Sequence, residues 1–290
     1  MHEEEWLAER FEENRSHLRG VAYRMLGSSG DADDAVQEAW LKLSRSGVSG
    51  VENLRAWLTT VIARICLDML RSRNSRRETS QDVEIVEATG DREGAIDPER
   101  EALLGESVGL ALLVVLEKLD PAERLAFVLH DLFAVPFDEI ASIVGRSTEA
   151  TRQLASRARR RVRGGPTVSD PDLAGQRRVV EAFLAALRGR DFEGLIAVLD
   201  PDVTVRTESA EGISEIRGAQ NFARSAVAFA ENAHLMEMAL VDGTVGIVMA
   251  RGGRLLRAAR FSMKEGKISE VNLIVRPVRL RELDLSVLSD

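Results

Sequence analysis

A single cysteine, Cys66, and a single tyrosine occur in 290 residues, and aromatic residues make up only 4% of the chain. One thiol excludes internal disulfides and any cysteine-rich zinc site. Cys66 lies in the apolar helical pattern "LRAWLTTVIARICLDMLRSR", which predicts a buried structural thiol rather than a nucleophile. No apolar run reaches the roughly 18 to 20 residues that a membrane span needs. The opening "MHEEEWLAERFEENR" is acidic where a secretory leader is basic and then apolar, so a cytoplasmic protein is expected. No metal or other cofactor is called for.

What the chain does have is charge, unevenly placed. The formal net charge is −8. Residues 1–77 carry 12 basic and 12 acidic side chains, residues 107–170 carry 9 and 8, and residues 171–290 carry 16 and 17. Residues 78–106 carry 2 and 10, so the negative excess sits in "ETSQDVEIVEATGDREGAIDPEREALLGE". Few large apolar residues and repeated like charge leave that stretch too little burial to offset its ordering entropy, and it reads as a flexible linker. The expected organisation is a first helical domain over 1–77, the linker over 78–106, a second helical domain over 107–165 and a third domain over 173–290.

The first domain shows a helical period throughout. Leu7, Phe11, Leu18, Val21, Ala22 and Met25 fall near a 3.6-residue repeat, which "SSG" breaks. "DADDAVQEAWLKL" predicts a second helix with Asp31 as its N-cap and a stripe of Val36, Trp40 and Leu43. After a Ser/Gly loop, Leu54, Leu58, Val61, Ile65 and Met69 are expected to face inward from a third. In the second domain "GESVGLALLVVLEKL" and "DPAERLAFVLHDL" read as helices, the latter with Asp120 as N-cap and Pro121 at its first position.

Arginine is concentrated where the second domain ends. From Arg146 to Arg163 there are seven arginines and one acid, Glu149. Ala141 followed four residues later by Gly145 is the spacing of a helix-turn-helix, with a small residue at the crossing and glycine for the positive φ of the turn. Thr151, Leu154, Ala155, Ala158 and Val162 share one face of the next helix. Arg152, Gln153, Ser156, Arg157 and Arg160 share the other, preceded by Arg146 and Ser147 at the turn. One face packs and the other suits a major groove, where Arg pairs with guanine and Gln with adenine. Arg159, Arg161 and Arg163 are better placed for phosphates.

In the first domain Asp31, Asp33, Asp34, Gln37 and Glu38 make an acidic helix face that repels DNA; it is either solvated or docks a basic protein. Loop 44–53, flanked by the helix that bears Arg55, Thr59, Arg64 and Arg71, can receive unpaired bases or be an ordinary surface.

Together "VAYRMLGSSGDADDAVQEAWLKL", "LRAWLTTVIARICLDMLRSRNSRRE" and "LDPAERLAFVLHDLFAVPFDEIASIVGRSTEATRQLASRARRRVR" resemble the two domains of an extracytoplasmic-function (ECF) sigma factor of bacterial RNA polymerase. The likeness covers about residues 5–165, and "FAVPFDEIA" with "RQLASRAR" points to the subgroup with a C-terminal SnoaL/NTF2-like domain. It implies core RNA polymerase and promoter DNA as partners. Asp31, Asp33, Asp34, Gln37 and Glu38 fall where the family docks on the β′ clamp, with the β subunit as a further partner. Asn53, Arg55, Thr59 and Arg64 fall in the part that opens and reads the −10 element. Arg146, Ser147, Arg152, Gln153, Ser156, Arg157 and Arg160 fall in the −35 reader, and the acidic linker corresponds to the segment threaded toward the RNA path. The subgroup's Trp-Leu-Pro-Glu-Pro linker motif is absent, and "TESAEGISEIRG" and "RPVRL" stand where two further motifs occur.

The third domain reads as two helices, "AGQRRVVEAFLAALRGRD" and "FEGLIAVL", then a strand "DVTVRTE" and four more separated by "DG", "RGG" and "EG", a meander of hairpins. The fold class is therefore multidomain, two all-α helical domains, the second a helix-turn-helix, followed by an α+β SnoaL/NTF2-like domain. Arg206, Glu208 and His234 form no recognisable acid–base constellation, so an enzyme is not expected. Control of the sigma domains through intramolecular contacts of this domain is the favoured reading. The alternative is a one-component regulator whose third domain senses a small molecule, which leaves the acidic helix and the first domain unexplained.

Overall fold

The computed structural model describes residues 2–46, 53–79, 109–164, 173–209 and 212–288. In chain order the helices are α1 (His2–Leu26), α2 (Ser29–Ser46), α3 (Leu54–Thr79), α4 (Leu110–Glu117), α5 (Pro121–Phe127), α6 (Phe137–Val144) and α7 (Thr148–Arg163). These are followed by α8 (Leu173–Arg188), α9 (Phe192–Val198) and a predominantly β segment. The chain divides into two compact units, Met1–Glu101 with Leu116–Arg159, and Ala102–Val115 with Arg160–Asp290.

In the first unit α1, α2 and α3 pack on one another. Leu7, Phe11, Leu18, Val21, Ala22 and Met25 are all buried, and Phe11 meets Trp40 with ring centroids 5.2 Å apart. Gly27 closes α1 in the left-handed region at φ 78°, its N–H donating to the Tyr23 carbonyl at 2.8 Å. The chain turns so tightly there that α2 begins at Ser29, two residues before the expected cap. The capping hydroxyl is that of Ser28, which accepts from the Asp31 N–H at 3.3 Å, so Asp31 is not the N-cap but a residue of the first turn.

The buried side of α3 also differs from the expected stripe. Leu58 and Ile65 are buried, whereas Leu54, Val61 and Met69 are only partly so; Ile62, Ala63, Cys66, Leu67 and Leu70 take up the core. The physical reason is that α3 is covered from two directions, by α1 and α2 and by α5 and α6. Burial pushes the Cys66 thiol pKa up strongly, as expected of a packing residue. Asp120 does precede α5, with Pro121 at the first helical position, and the helix continues as a π-helical turn over Val128–Leu132.

The second unit contains a seven-stranded sheet in the order β2-β1-β6-β5-β4-β3-β7. The strands are β1 (Leu199–Ser209), β2 (Gly212–Arg217), β3 (Met236–Val241), β4 (Thr244–Arg251), β5 (Arg254–Lys264), β6 (Lys267–Ile274) and β7 (Leu285–Ser286). Hairpins join β3 to β6 as expected, and their turn residues Asp242-Gly243, Gly252-Gly253 and Glu265-Gly266 all have positive φ, the twist that two-residue hairpins require. The sheet is nevertheless mixed rather than a pure meander, because β1 pairs parallel with β6, Val205 opposite Val271. "GISEIR" supplies β2, and α10 (Ala219–Ala228) follows it. Phe183 of α8 stacks on Phe222 of α10 at 5.8 Å and meets Phe261 of β5 at 5.6 Å, so side chains fill the space between helices and sheet. This is the helical-then-α+β architecture expected of a chain with a SnoaL/NTF2-like third domain.

Candidate nucleic-acid and polymerase interfaces

Helix α6 ends at Gly145, whose φ of 73° no other residue type adopts without cost. Gly145 and Arg146 both donate their N–H groups to the Ala141 carbonyl, at 2.9 and 3.1 Å, a doubly bonded left-handed stop. Ser147 then starts α7, its Oγ accepting the Ala150 N–H at 3.2 Å and its carbonyl accepting the Thr151 hydroxyl at 2.9 Å. Thr151, Leu154, Ala155, Ala158 and Val162 are buried. Arg146, Ser147, Arg152, Gln153, Ser156, Arg157 and Arg160 are each exposed.

Acids hold parts of that surface in place. Arg152 lies 5.8 Å from the Phe137 ring centre and 3.6 Å from Glu149. Arg157 approaches the buried Glu123 of α5 at 3.7 Å, and Arg159 meets Asp131 at 2.5 Å. Neither Glu123 nor Asp131 belongs to the helix-turn-helix pattern, and helix packing alone brings them to it.

The acidic face of α2 is partly neutralised by cations that sequence reasoning did not connect with it. Asp31 pairs with Arg73 of α3, and Asp33 pairs with Arg19 of α1 at 2.6 Å. Glu38 pairs along its own helix with Lys42 at 3.0 Å, while Asp34 and Gln37 are exposed. Three of the five expected docking residues, Asp31, Asp33 and Glu38, are thus already paired within the first unit.

Around the expected −10 reader, Asn53 caps α3 by accepting the Ala56 N–H at 3.1 Å, and Arg64 is exposed. Residues 47–52 of the loop lie outside the described residues, as does most of linker 78–106. Thr59 is turned inward, only 6% exposed, and its hydroxyl donates to the Arg55 carbonyl at 2.8 Å. The imidazole of His17 lies between Arg55 and Thr59: Nδ1 is 3.1 Å from Arg55 Nη2 and Nε2 is 3.0 Å from Thr59 Oγ1. Burial, and then the Arg55 charge, lower the His17 pKa. The same ring stands edge-on to Phe133 at 5.3 Å, and the Arg24 guanidinium lies 5.2 Å from the Phe133 centroid. Arg124 of α5 donates to the Met25 carbonyl at the end of α1 at 2.9 Å.

In the third domain Arg206 pairs with Glu215 and Glu270, each at 3.2 Å, and Glu208 pairs with Arg276 at 3.2 Å. His234 is exposed in a 3-10 turn (Ala230–Leu235) just before β3, its Nδ1 2.8 Å from the Glu231 carbonyl. The three residues are therefore not brought together. Among the described residues no cluster of His, Cys, Asp and Glu could hold a metal ion, and no helix is long and apolar enough to cross a membrane.

Two protein families match the chain, Sigma-70 region 2 over residues 10–76 and Sigma-70, region 4 over residues 109–162. The chain is 38% identical over 285 residues to the ECF RNA polymerase sigma factor SigJ of Mycobacterium tuberculosis, covering 92% of this chain and 91% of that one. It is 33% identical over 271 residues to the probable ECF RNA polymerase sigma factor SigI of the same species, covering 93% of each. The crystal structure of M. tuberculosis SigJ superposes with a TM-score of 0.45 at 33% identity, covering 94% of this chain and 97% of that one. Similarity of this extent to two curated relatives, together with both sigma regions in order, places the chain: it belongs to the ECF sigma factors, which bind RNA polymerase and promoter DNA, and is an alternative sigma factor that directs transcription initiation.

Proposed function

We propose that the exposed arginine face of α7 reads the −35 element, that α3 and the loop before it open and read the −10 element, and that the acidic face of α2 docks on the polymerase β′ clamp, with further contacts to the β subunit. The observation that carries this assignment is the division of α7 into a buried apolar face and an exposed face of Arg152, Gln153, Ser156, Arg157 and Arg160 behind a left-handed Gly145. An arginine helix so divided suits a groove. Linker 78–106, with ten acids, suits the RNA path of core polymerase, which is built for a polyanion. This work is done in the cytoplasm, with no cofactor and no catalysis by the third domain.

The third domain controls the sigma domains in cis. Supporting this, Glu237 of β3 accepts the Ala111 N–H in the first turn of α4 at 2.8 Å, and the Val287 N–H donates to the Val162 carbonyl of α7 at 2.8 Å. A tethered domain acts at high effective concentration, so a few such contacts suffice to bias an arrangement.

The test is run-off transcription with bacterial core polymerase on promoters recovered by selection from genomic fragments, using the full chain, a chain ending at Asp170, and full-length variants. Asp34→Lys is expected to abolish recruitment of core, and Arg157→Ala to reduce initiation at the cognate −35 sequence. Initiation that is indifferent to both sinks the assignment, and the ratio between full and shortened chains gives the sign of the third domain's control.

A further inference from the structure

The His17 ring ties two residues of the proposed −10 reader into a closed cycle that has only one consistent proton arrangement. Arg55 is a guanidinium and can only donate, so the nitrogen it meets, Nδ1 of His17 at 3.1 Å, must carry a lone pair. The proton of the neutral ring is then on Nε2, which donates to Thr59 Oγ1 at 3.0 Å. The Thr59 hydroxyl passes its own proton to the Arg55 carbonyl at 2.8 Å, which returns the cycle to the residue where it began. Each of the three bonds then has one donor and one acceptor, provided that the imidazole is neutral.

Protonation of His17 breaks this arrangement. Both ring nitrogens become donors, the Arg55 bond loses its acceptor, and two cations face each other at 3.1 Å. The charged groups around the ring do not relieve that repulsion. Arg55 of α3 is the charge that bears on it, and it too disfavours the cation. On α1, Glu13 is paired with Arg10, and Arg24 lies against Phe133. On the π-helical turn that packs against α1, Asp131 is paired with Arg159, and the His130 ring has its Nδ1 3.0 Å from the Val135 carbonyl. The ring itself is half-buried and edge-on to Phe133.

We propose that His17 is the positioning residue of the −10 reader: as the neutral Nε2–H tautomer, anchored on Thr59, it holds the exposed Arg55 guanidinium against the ring, and its protonation releases Arg55 to meet DNA. This rests on the assignment of Arg55 and Thr59 to the −10 reader. It makes promoter opening by this sigma factor rise as the pH falls through the His17 pKa. The imidazole itself is assigned no nucleic-acid contact and acts through Arg55, with Thr59 fixing the ring.

The experiment pairs His17→Gln, whose amide can accept from Arg55 and donate to Thr59 like the neutral ring, with His17→Arg, which only donates. In run-off transcription by the holoenzyme, normalised to a second sigma factor on the same core, the native chain is expected to gain severalfold as the pH is lowered from about 8 through the range in which His17 takes up its proton. His17→Gln should stay low and flat, and His17→Arg high and flat. Hydrogen exchange of the full chain alone supplies an independent readout, with protection over residues 53–60 falling as His17 titrates in the native chain and not in His17→Gln. A His17→Gln profile that follows the native one in both measurements overturns the proposal. If no form initiates transcription, the −10 assignment fails. The exchange data then decide alone: pH-linked protection in the native chain only keeps the latch, and unchanged protection removes it.

Discussion

Val287 donates its backbone N–H to the Val162 carbonyl at 2.8 Å, so the residue just after β7 is tied to the last turn of the helix that carries the arginine face. Gly164 follows at φ 77°, and a Cβ there would stand 2.7 Å from Ser286 Oγ. Gly164→Ala is therefore expected to incur both backbone strain and a clash, roughly 1–3 kcal/mol in all. The double variant Gly164→Ala/Ser286→Gly should recover the clash and keep the strain. A denaturant-unfolding cycle over the four chains measures the difference, and strict additivity refutes the contact.

Gly145 is the control for backbone strain without crowding. Its φ is 73°, and a Cβ would meet nothing within 4 Å. Gly145→Ala should cost about 1–2 kcal/mol, the penalty of the left-handed region, and Gly145→Asn distinctly less, because asparagine tolerates it. Equal losses in thermal unfolding would point to packing instead.

Base readers and phosphate contacts on α7 should separate by salt. Replacing Arg163 with alanine is expected to lower the slope of log affinity against log salt for holoenzyme on duplex promoter by about 1. Gln153→Ala should leave the slope unchanged and relax preference at one −35 position. Titrations at several salt concentrations on matched and mismatched promoters distinguish them.

Cys66 is fully buried and its thiol pKa is raised by desolvation, so the reactive thiolate is scarce in the folded protein. A thiol-specific disulfide reagent at about pH 8 should label the native chain only at the rate at which the first unit opens. Rapid labelling under native conditions would contradict its place in α3.

Acid should weaken the native arrangement around His17. The folded pKa lies below the unfolded value of about 6.5, so the unfolded chain binds the extra proton. Stability contributed by the neutral ring is present above about pH 6.5 and is lost as the pH falls through that value and below. Melting temperatures across that range should decline in the native chain more than in His17→Gln.

Much of the fold was legible because it depends on local periodicity. The inward stripe of α1, the buried and exposed faces of α7, the Asp120-Pro121 start of α5 and the hairpins at Asp242-Gly243 and Glu265-Gly266 each follow from side-chain spacing and turn chemistry within a few residues. Where a helix is covered from two sides, the local period misleads, and Val61 and Met69 of α3 are only half-buried for that reason. The parallel pairing of β1 with β6 joins segments more than sixty residues apart, and nothing in either strand announces it.

The candidate site divides in the same way. The residue types proposed to meet DNA and polymerase, and the face each shares along a single helix, were determined by the sequence, since one helix carries its faces with it. Which of those residues are already engaged was decided only by tertiary structure. Arg73 reaches Asp31, Arg19 reaches Asp33, Glu123 reaches Arg157, and His17 bonds both Arg55 and Thr59, in every case from one helix to another. Charge and hydrogen-bonding capacity belong to the residue, but a partner within 3 or 4 Å is a property of packing, and packing is set by the whole buried surface at once.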